Sequence, residues 1–410
     1  MDRYEFIIAV NIIVIIVLLI CLSILFHKKI RTSDIWHATV TPLASIIGSG
    51  FLVSAPLLLL ATGSWAVLVM IAIVSIAYFI GASLRFNIMY AEPLLNKKEY
   101  LSINLFEGIA KPALGIAYII SVTFYLKLLS AFAFRGFHVH NLLFENILTT
   151  TILLVIGLTG KLRGLSMLEI LETYSVNIKL SIIMAVTVAL FMYNGNLVMH
   201  SHWRIHYEST HSFIKSLREV FGMLIIVQGF ETSRYLGHAY DAQMRIKTMR
   251  YAQWISAVIY VVFVALTSVV FNHIHTVTEV TIIQICKIVA PVLPILLIIA
   301  AVMSQFSAAI ADTIGSGGLL SEATRHKLSV NNSYLLIAVL AIGLTWLANI
   351  YQVITIASKA FAIYYALQIV ICILTAFDQK GLKYKYWHIF ANILLLTLLL
   401  TIIIFGIPVE

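Results

Sequence analysis

The sequence predicts an all-α polytopic membrane protein. Two five-helix halves of opposite topology (a 5+5 inverted repeat) form the bundle, and one extra helix lies at each end. Three observations carry this reading. The 410 residues are 61% hydrophobic and 11% charged, more apolar surface than a soluble domain can hide. The apolar runs are long and uninterrupted, near the roughly 20 residues that a bilayer-crossing helix needs, and they lack the alternation of barrel strands. Finally, two of the runs are interrupted midway by glycine and polar residues, at corresponding places in the two halves. Such a pair is the pattern of discontinuous helices around a midplane site.

Twelve spans can be drawn in order. Span 0, about 5–26, is long for a signal peptide. It follows Asp2 and Glu5 and lacks a basic n-region and a clear cleavage site, so it reads as a retained helix. Spans 1 (38–61), 2 (64–93), 3 (113–134), 4 (142–159) and 5 (166–193) make the first half. Spans 6 (214–237), 7 (250–271), 8 (289–320), 9 (333–348) and 10 (351–376) make the second, and span 11 (386–407) closes the chain. The expected units are therefore 1–36 (extra N-terminal helix and loop), 37–195 and 196–377 (the two repeats), and 378–410 (C-terminal helix). An odd number of spans per half gives the halves opposite topology.

Lysine and arginine orient the chain. Basic residues cluster at Lys28, Lys29 and Arg31; Lys97, Lys98 and Lys111; Lys161 and Arg163; Arg245, Lys247 and Arg250; Arg325 and Lys327; and Lys380, Lys383 and Lys385. These loops alternate along the chain and so fall on one side, expected to be the cytoplasm, with both termini outside. The net charge of +9 thus reflects orientation in a lipid bilayer, and no nucleic-acid partner is expected. A bacterial inner (plasma) membrane is the expected location. Cys21, Cys286 and Cys372 lie in apolar runs with no metal-ligand or disulfide spacing, and no metal or cofactor is expected. Enzyme motifs of the H-E-x-x-H, G-x-S-x-G and nucleotide-loop types are absent.

The interruption in span 1 is Gly48-Ser49-Gly50, inside I-I-G-S-G-F-L-V-S-A-P from Ile46. Glycine and serine are poor helix formers that leave backbone uncovered. Unwound backbone at membrane depth is tolerated where it lines an enclosed cavity, so the stretch reads as the floor of a substrate site. A small-residue helix-packing patch is the alternative. The corresponding place in span 6 holds Gln228, Gly229, Glu231, Thr232, Ser233 and Arg234. Both spans are expected to be unwound near the midplane.

Several stretches resemble the amino acid–polyamine–organocation (APC) transporters. They are Ile46 to Ala66 (I-I-G-S-G-F-L-V-S-A-P-L-L-L-L-A-T-G-S-W-A), Tyr90-Ala91-Glu92, Gly229-Phe230-Glu231, and S-Q-F-S-A-A-I-A-D-T from Ser304 with the G-L-L-S-E-A-T-R-H that follows. Span 0 is an addition to that family's usual plan, and Ala311-Asp312-Thr313 replaces its arginine-containing signature. The resemblance implies a leucine-transporter-type fold and transport of amino acids or amines. By the same resemblance, Gly48, Ser49 and Gly50, with Ile46 heading the motif, hold a substrate carboxylate. The carbonyls of Val227, Gln228 and Gly229 then hold an amino group.

Lys179 is the main candidate for coupling. It shares a helical face with Glu172 and Ser175 and lies on the order of 10 Å inside the basic edge. An intramembrane lysine is functional by default; snorkelling to the interface is the alternative. Proton-coupled members of the family carry a lysine at this place, facing the position that sodium takes in sodium-coupled relatives. Span 8 sets Ser304, Ser307, Ala308, Ala311, Gly315 and Gly318 on one face. That stripe allows close approach to span 1, or its hydroxyls ligate sodium. Asp312, at the rim, binds a cation, pairs Lys179, or is solvated. Glu231 is a gate, a proton carrier or a partner of Arg234. Lys127 could neutralise an acidic substrate, and Lys359 could pair a neighbour. His200, His202, His206 and His211 read as a solvated loop rather than a zinc site. The expectation is a secondary transporter of an amino acid or amine with a proton as coupling ion. Sodium coupling or exchange of another solute, and a non-transporting sensor or scaffold, are the alternatives.

Overall fold

Loop chemistry sets where the helices begin. In the computed structural model, Ser33, Asn141, Ser212, Asp241 and Ser329 each cap a helix by accepting a backbone N–H, and Asn349 does so in a capping box with Gln352. The structure describes residues 3–95, 97–136, 139, 141–164, 166–204, 211–237, 239–271, 278, 280–379 and 381–409, without the side chains of 3, 31, 49, 98, 166–173 and 225. His206 and the stretch around it lie outside these ranges.

The helices in order are α1 (Arg3–Leu25), α2 (Lys28–Arg31), α3 (Asp34–Thr62), α4 (Ala66–Phe86), α5 (Leu101–Gly136), α6 (Leu142–Arg163), α7 (Ser166–Met199), α8 (Phe213–Phe221), α9 (Ala242–Val270), α10 (Thr281–Val289), α11 (Leu293–Ala323), α12 (Val330–Leu347), α13 (Ile350–Asp378) and α14 (Lys385–Phe405). Ten helical stretches among the described residues are long and apolar enough to cross a membrane. One of them, Asp34–Leu94, is 61 residues long, about 90 Å at 1.5 Å per residue and too long for one crossing. It turns at Gly63, whose φ is 55°, and so supplies two spans, α3 and α4. The twelfth crossing is the interrupted segment that starts with α8.

Contacts in one half recur in the other. α7 packs on α11 as α13 packs on α5, and α5 and α11, α6 and α12, and α4 and α9 pair across the two halves. α1 lies against α7 and α14 against α13, so both extra helices sit outside the repeats. At the centre α3 touches α4, α7, α9, α11 and the interrupted segment that follows α8.

Three sequence expectations change. Span 1 is not unwound: α3 runs from Asp34 to Thr62 straight through Gly48 and Gly50, with Pro42 and Pro56 inside it. The glycines serve close approach instead. A Cβ at Gly48 would lie 3.1 Å from the Ala308 Cβ, and one at Gly50 would lie 2.7 Å from the Ile226 Cα. Their backbone N–H groups therefore stay within the helix rather than facing a ligand. Span 3 begins at Leu101, because Pro112 is accommodated inside α5. The loop before span 8 holds the separate helix α10, which ends at Ala290 in extended backbone just before Pro291.

Candidate transport site

Span 6, unlike span 1, is interrupted as expected. α8 ends at Phe221; a 310 turn covers Leu224–Val227, and another covers Phe230–Leu236. Between them Gln228 and Gly229 have no helical pairing, and Gly229 has φ 123°, a conformation that only glycine adopts cheaply. A Cβ there would lie 2.5 Å from Ser45 Oγ and 2.6 Å from the Ile46 nitrogen, so the break presses directly on α3. The Tyr260 hydroxyl of α9 reaches the Ile46 carbonyl at 2.9 Å and the Ile226 carbonyl at 2.5 Å. One hydroxyl thus ties both central segments together. Val227 lines a small gap with Ile46 and Tyr260. Gln228 Nε2 donates to the Tyr125 hydroxyl at 2.6 Å.

Lys179 is 1% exposed, although it is a lysine in the middle of a helix bundle. Its Nζ donates to the Ala44 carbonyl of α3 at 2.7 Å and to Ser304 Oγ of α11 at 3.3 Å. A Cβ at Gly48 would stand 3.5 Å from that Nζ, in ordinary contact with it, so this turn of α3 runs directly beside the ammonium. A snorkelling lysine would extend to the interface, and this one does not. The expected face of Ser304 and Ala308 meets α3 here. Ser307 does not join them, because its hydroxyl donates to the Ser304 carbonyl of its own helix at 3.0 Å. The side chain of Ser49 lies outside the described residues, as does that of Glu172.

Two carboxylates lie nearby. Glu231 Oε2 accepts the Gly229 N–H at 2.9 Å and the Tyr365 hydroxyl at 2.7 Å. Asp312 is buried rather than solvated and accepts the Ser121 hydroxyl of α5. Arg234 does not pair Glu231. It pairs Glu107 at 3.0 Å and Glu92 at 3.7 Å, while Arg245 pairs Glu92 at 2.7 Å and donates to the Arg234 carbonyl at 2.7 Å. This network joins the turn after α4, the start of α5, the broken segment and α9 at the face that carries the basic loops. Lys127 is remote from it: its ammonium donates to Asn146 Oδ1 and to the Thr345 carbonyl, both at 2.9 Å. Lys359 is half-buried on α13. His211 binds Glu219 at 2.8 Å, and no metal-ligating group of three or more is present among the described residues.

A cavity of about 840 Å³ enters from the basic face. Its walls include His37 and Thr41 of α3, Tyr118 of α5, Thr232 and Tyr235 of the broken segment, and Gly315 of α11. It reaches the second 310 turn at Thr232 and Tyr235.

A closed α-helical bundle with a midplane break, a buried ammonium tie and a solvent cavity from one side defines a secondary transporter. The chain belongs to the APC superfamily: a family model described as an APC superfamily transporter matches residues 28–406. A relative from Aquifex aeolicus (strain VF5), described as an uncharacterized protein, is 43% identical over 403 residues, covering 97% of this chain and 96% of the relative. Among solved structures, the chain is similar to the manganese transporter of Eremococcus coleocola in complex with a bis-isothiourea compound (TM-score 0.56, 11% identity, 92% of this chain and 88% of that one). It is also similar to a Na+-coupled sialic acid symporter in a substrate-bound outward-open state (TM-score 0.51, 13% identity, 99% and 98%). These likenesses establish the leucine-transporter-type fold.

Sequence reading placed the Lys179 charge on α3 carbonyls near Ser45 to Ile47, one residue past the Ala44 carbonyl it meets, and missed Tyr118, Ser121, Tyr125, Tyr260 and Tyr365. The available signal was that a buried tyrosine needs a hydroxyl partner, which marks such residues as structural without saying where the partner lies.

Proposed function

We propose that the protein moves an amino acid or a related amine by alternating access and that a proton, carried by Lys179, is the coupling ion. One observation supports this most: the buried Lys179 ammonium joins the α3 carbonyl of Ala44 to Ser304 of α11. Protonated, the lysine holds three helices together. Deprotonated, the neutral amine still has N–H groups to donate but has lost the charge that strengthens the bond to the Ala44 carbonyl, so the tie weakens and the helices are freed to separate. A ligand and a proton that favour the same arrangement are thereby linked. The ammonium fills the place that a metal cation would take between the α3 carbonyl and the Ser304 hydroxyl.

The substrate amine is assigned to the carbonyls of Val227, Gln228 and Gly229 at the break. Its carboxylate is assigned to the N–H groups of Gly48, Ser49 and Gly50, which requires that turn of α3 to open between Pro42 and Pro56. The glycines make this opening cheap. The basic face is assigned to the cytoplasm, so the cavity faces inward.

A thermal-shift screen of the purified protein tests the substrate class. Amino acids or amines should raise the unfolding temperature while sugars and nucleobases should not. Stabilisation by another solute class alone would overturn the reading.

A further inference from the structure

A second, smaller groove lies at the basic face, on the outside of the bundle. It has a volume of about 270 Å³ and runs between the start of α3 and the first half of α9. Trp36 and Thr39 of α3 and Tyr251 and Ile255 of α9 form its walls, and Lys29 stands at its edge. Lys247, Tyr251 and Ile255 are spaced by four and share one face of α9. The Lys247 ammonium lies 5.8 Å from the centre of the Tyr251 ring. One cation therefore comes from each side of the groove. The opposite face of the same stretch of α3 carries His37 and Thr41, which line the large cavity. The first turns of α3 are thus a wall with the groove on one side and the cavity on the other.

Lys29 and Lys247 are exposed, and neither pairs with a carboxylate among the described residues. Asp34 and Asp241, the nearest acids along the chain, do not line the groove. Asp241 is engaged with the Met244 N–H that it caps. Tyr251 and Trp254 are exposed on α9, as aromatic side chains are where a helix enters the headgroup region. A water-soluble anion would leave the apolar walls uncovered. A lipid without net charge would leave the two ammonium groups without a counter-charge. A negatively charged headgroup carrying an acyl chain satisfies both.

We infer that an anionic phospholipid docks here, its phosphate on Lys29 and Lys247 and its chain between Trp36 and Ile255. An occupied groove leaves the start of α3 no room to lean away from the cavity, so the lipid braces that wall and limits the width of the cavity mouth. This inference does not depend on the amino acid reading.

The test uses the full chain in detergent with phosphatidylglycerol and phosphatidylcholine of identical acyl chains, and native mass spectrometry as the readout. Phosphatidylglycerol should be retained about tenfold more than phosphatidylcholine. Lys29→Gln and Lys247→Gln should each lower its retention about fivefold, whereas Lys161→Gln, an exposed lysine elsewhere on the same face, should not. Ile255→Trp, which fills the groove, should release the lipid with both lysines in place. Excess glycerol phosphate should not displace it. Equal retention of the two lipids, an equal loss in Lys161→Gln, retention by Ile255→Trp, or displacement by glycerol phosphate overturns the lipid site. In nanodiscs, a soluble maleimide should label Thr41→Cys more slowly in phosphatidylglycerol than in phosphatidylcholine, after subtraction of the parent chain. An equal rate overturns the bracing of α3.

Discussion

At the scale of single residues, glycine has two separate uses here, and they give different predictions. At Gly229 the backbone itself is the constraint, with φ 123° and α3 backbone in the path of any Cβ. Gly229→Ala should lower stability by about 2 kcal/mol or more, read as a drop in thermal midpoint in detergent, and should also abolish ligand binding. A midpoint within the scatter of the wild type would show that the break is relaxed. At Gly50 the constraint is packing against Ile226, and here the sequence was misleading. Small residues accompany both an unwound backbone and a close helix crossing, and the pattern alone cannot separate them. Lys179 was legible because a charge inside an apolar run has few explanations. Tyr260 was not, because a tyrosine in such a run is unremarkable until its hydroxyl is seen on two carbonyls. Tyr260→Phe removes those bonds with almost no change in volume. It should cost about 1–2 kcal/mol, which a denaturation series would detect.

At the scale of elements, the broken segment is held at the basic face by buried ions rather than by apolar packing. Arg234 lies 2% exposed between Glu107 and Glu92, with Gln368 of α13 also donating to Glu107 at 3.2 Å. Removing one partner of such a pair leaves an uncompensated charge, at a cost of about 3 kcal/mol or more. Glu107→Gln should therefore destabilise strongly. Glu107→Gln combined with Arg234→Gln should recover part of the loss, because no lone charge remains. A double variant no more stable than the single one would mean that the pair does not act as a unit. The sequence offered a pair between Arg234 and Glu231 as one of three readings of Glu231, by proximity along the chain. The 310 winding and the approach of α5 redirect Arg234 to Glu107, a partner 127 residues away in sequence. Span 6 was legible as interrupted because polar residues cannot be packed continuously at membrane depth. The extra helix α10 was not, since its nine residues, six of them buried, are too few for a crossing and fit a loop edge equally well.

At the scale of the whole molecule, the number of crossings and the paired halves follow from run length and loop charge, which the bilayer imposes directly. Orientation is the part that an impermeant thiol reagent can check on whole cells. A cysteine placed at Met1 or Glu410 should be labelled from outside, and one placed at Lys161 only after permeabilisation. The opposite pattern would reverse the assignment of the cavity to the cytoplasmic side. The central claim is that the Lys179 ammonium takes the place of a metal cation and carries the coupling proton. Uptake into proteoliposomes under imposed gradients, with the tightest-binding amino acid of the thermal-shift screen as the labelled probe, tests it most directly. Wild type should accumulate the probe under an inward proton gradient and not under a sodium gradient. Lys179→Ala should bind without accumulating. Lys179→Arg should also fail to accumulate, because a guanidinium does not release its proton. Accumulation by Lys179→Ala at the wild-type rate with an unchanged pH response, or uptake driven by sodium alone, would contradict the account.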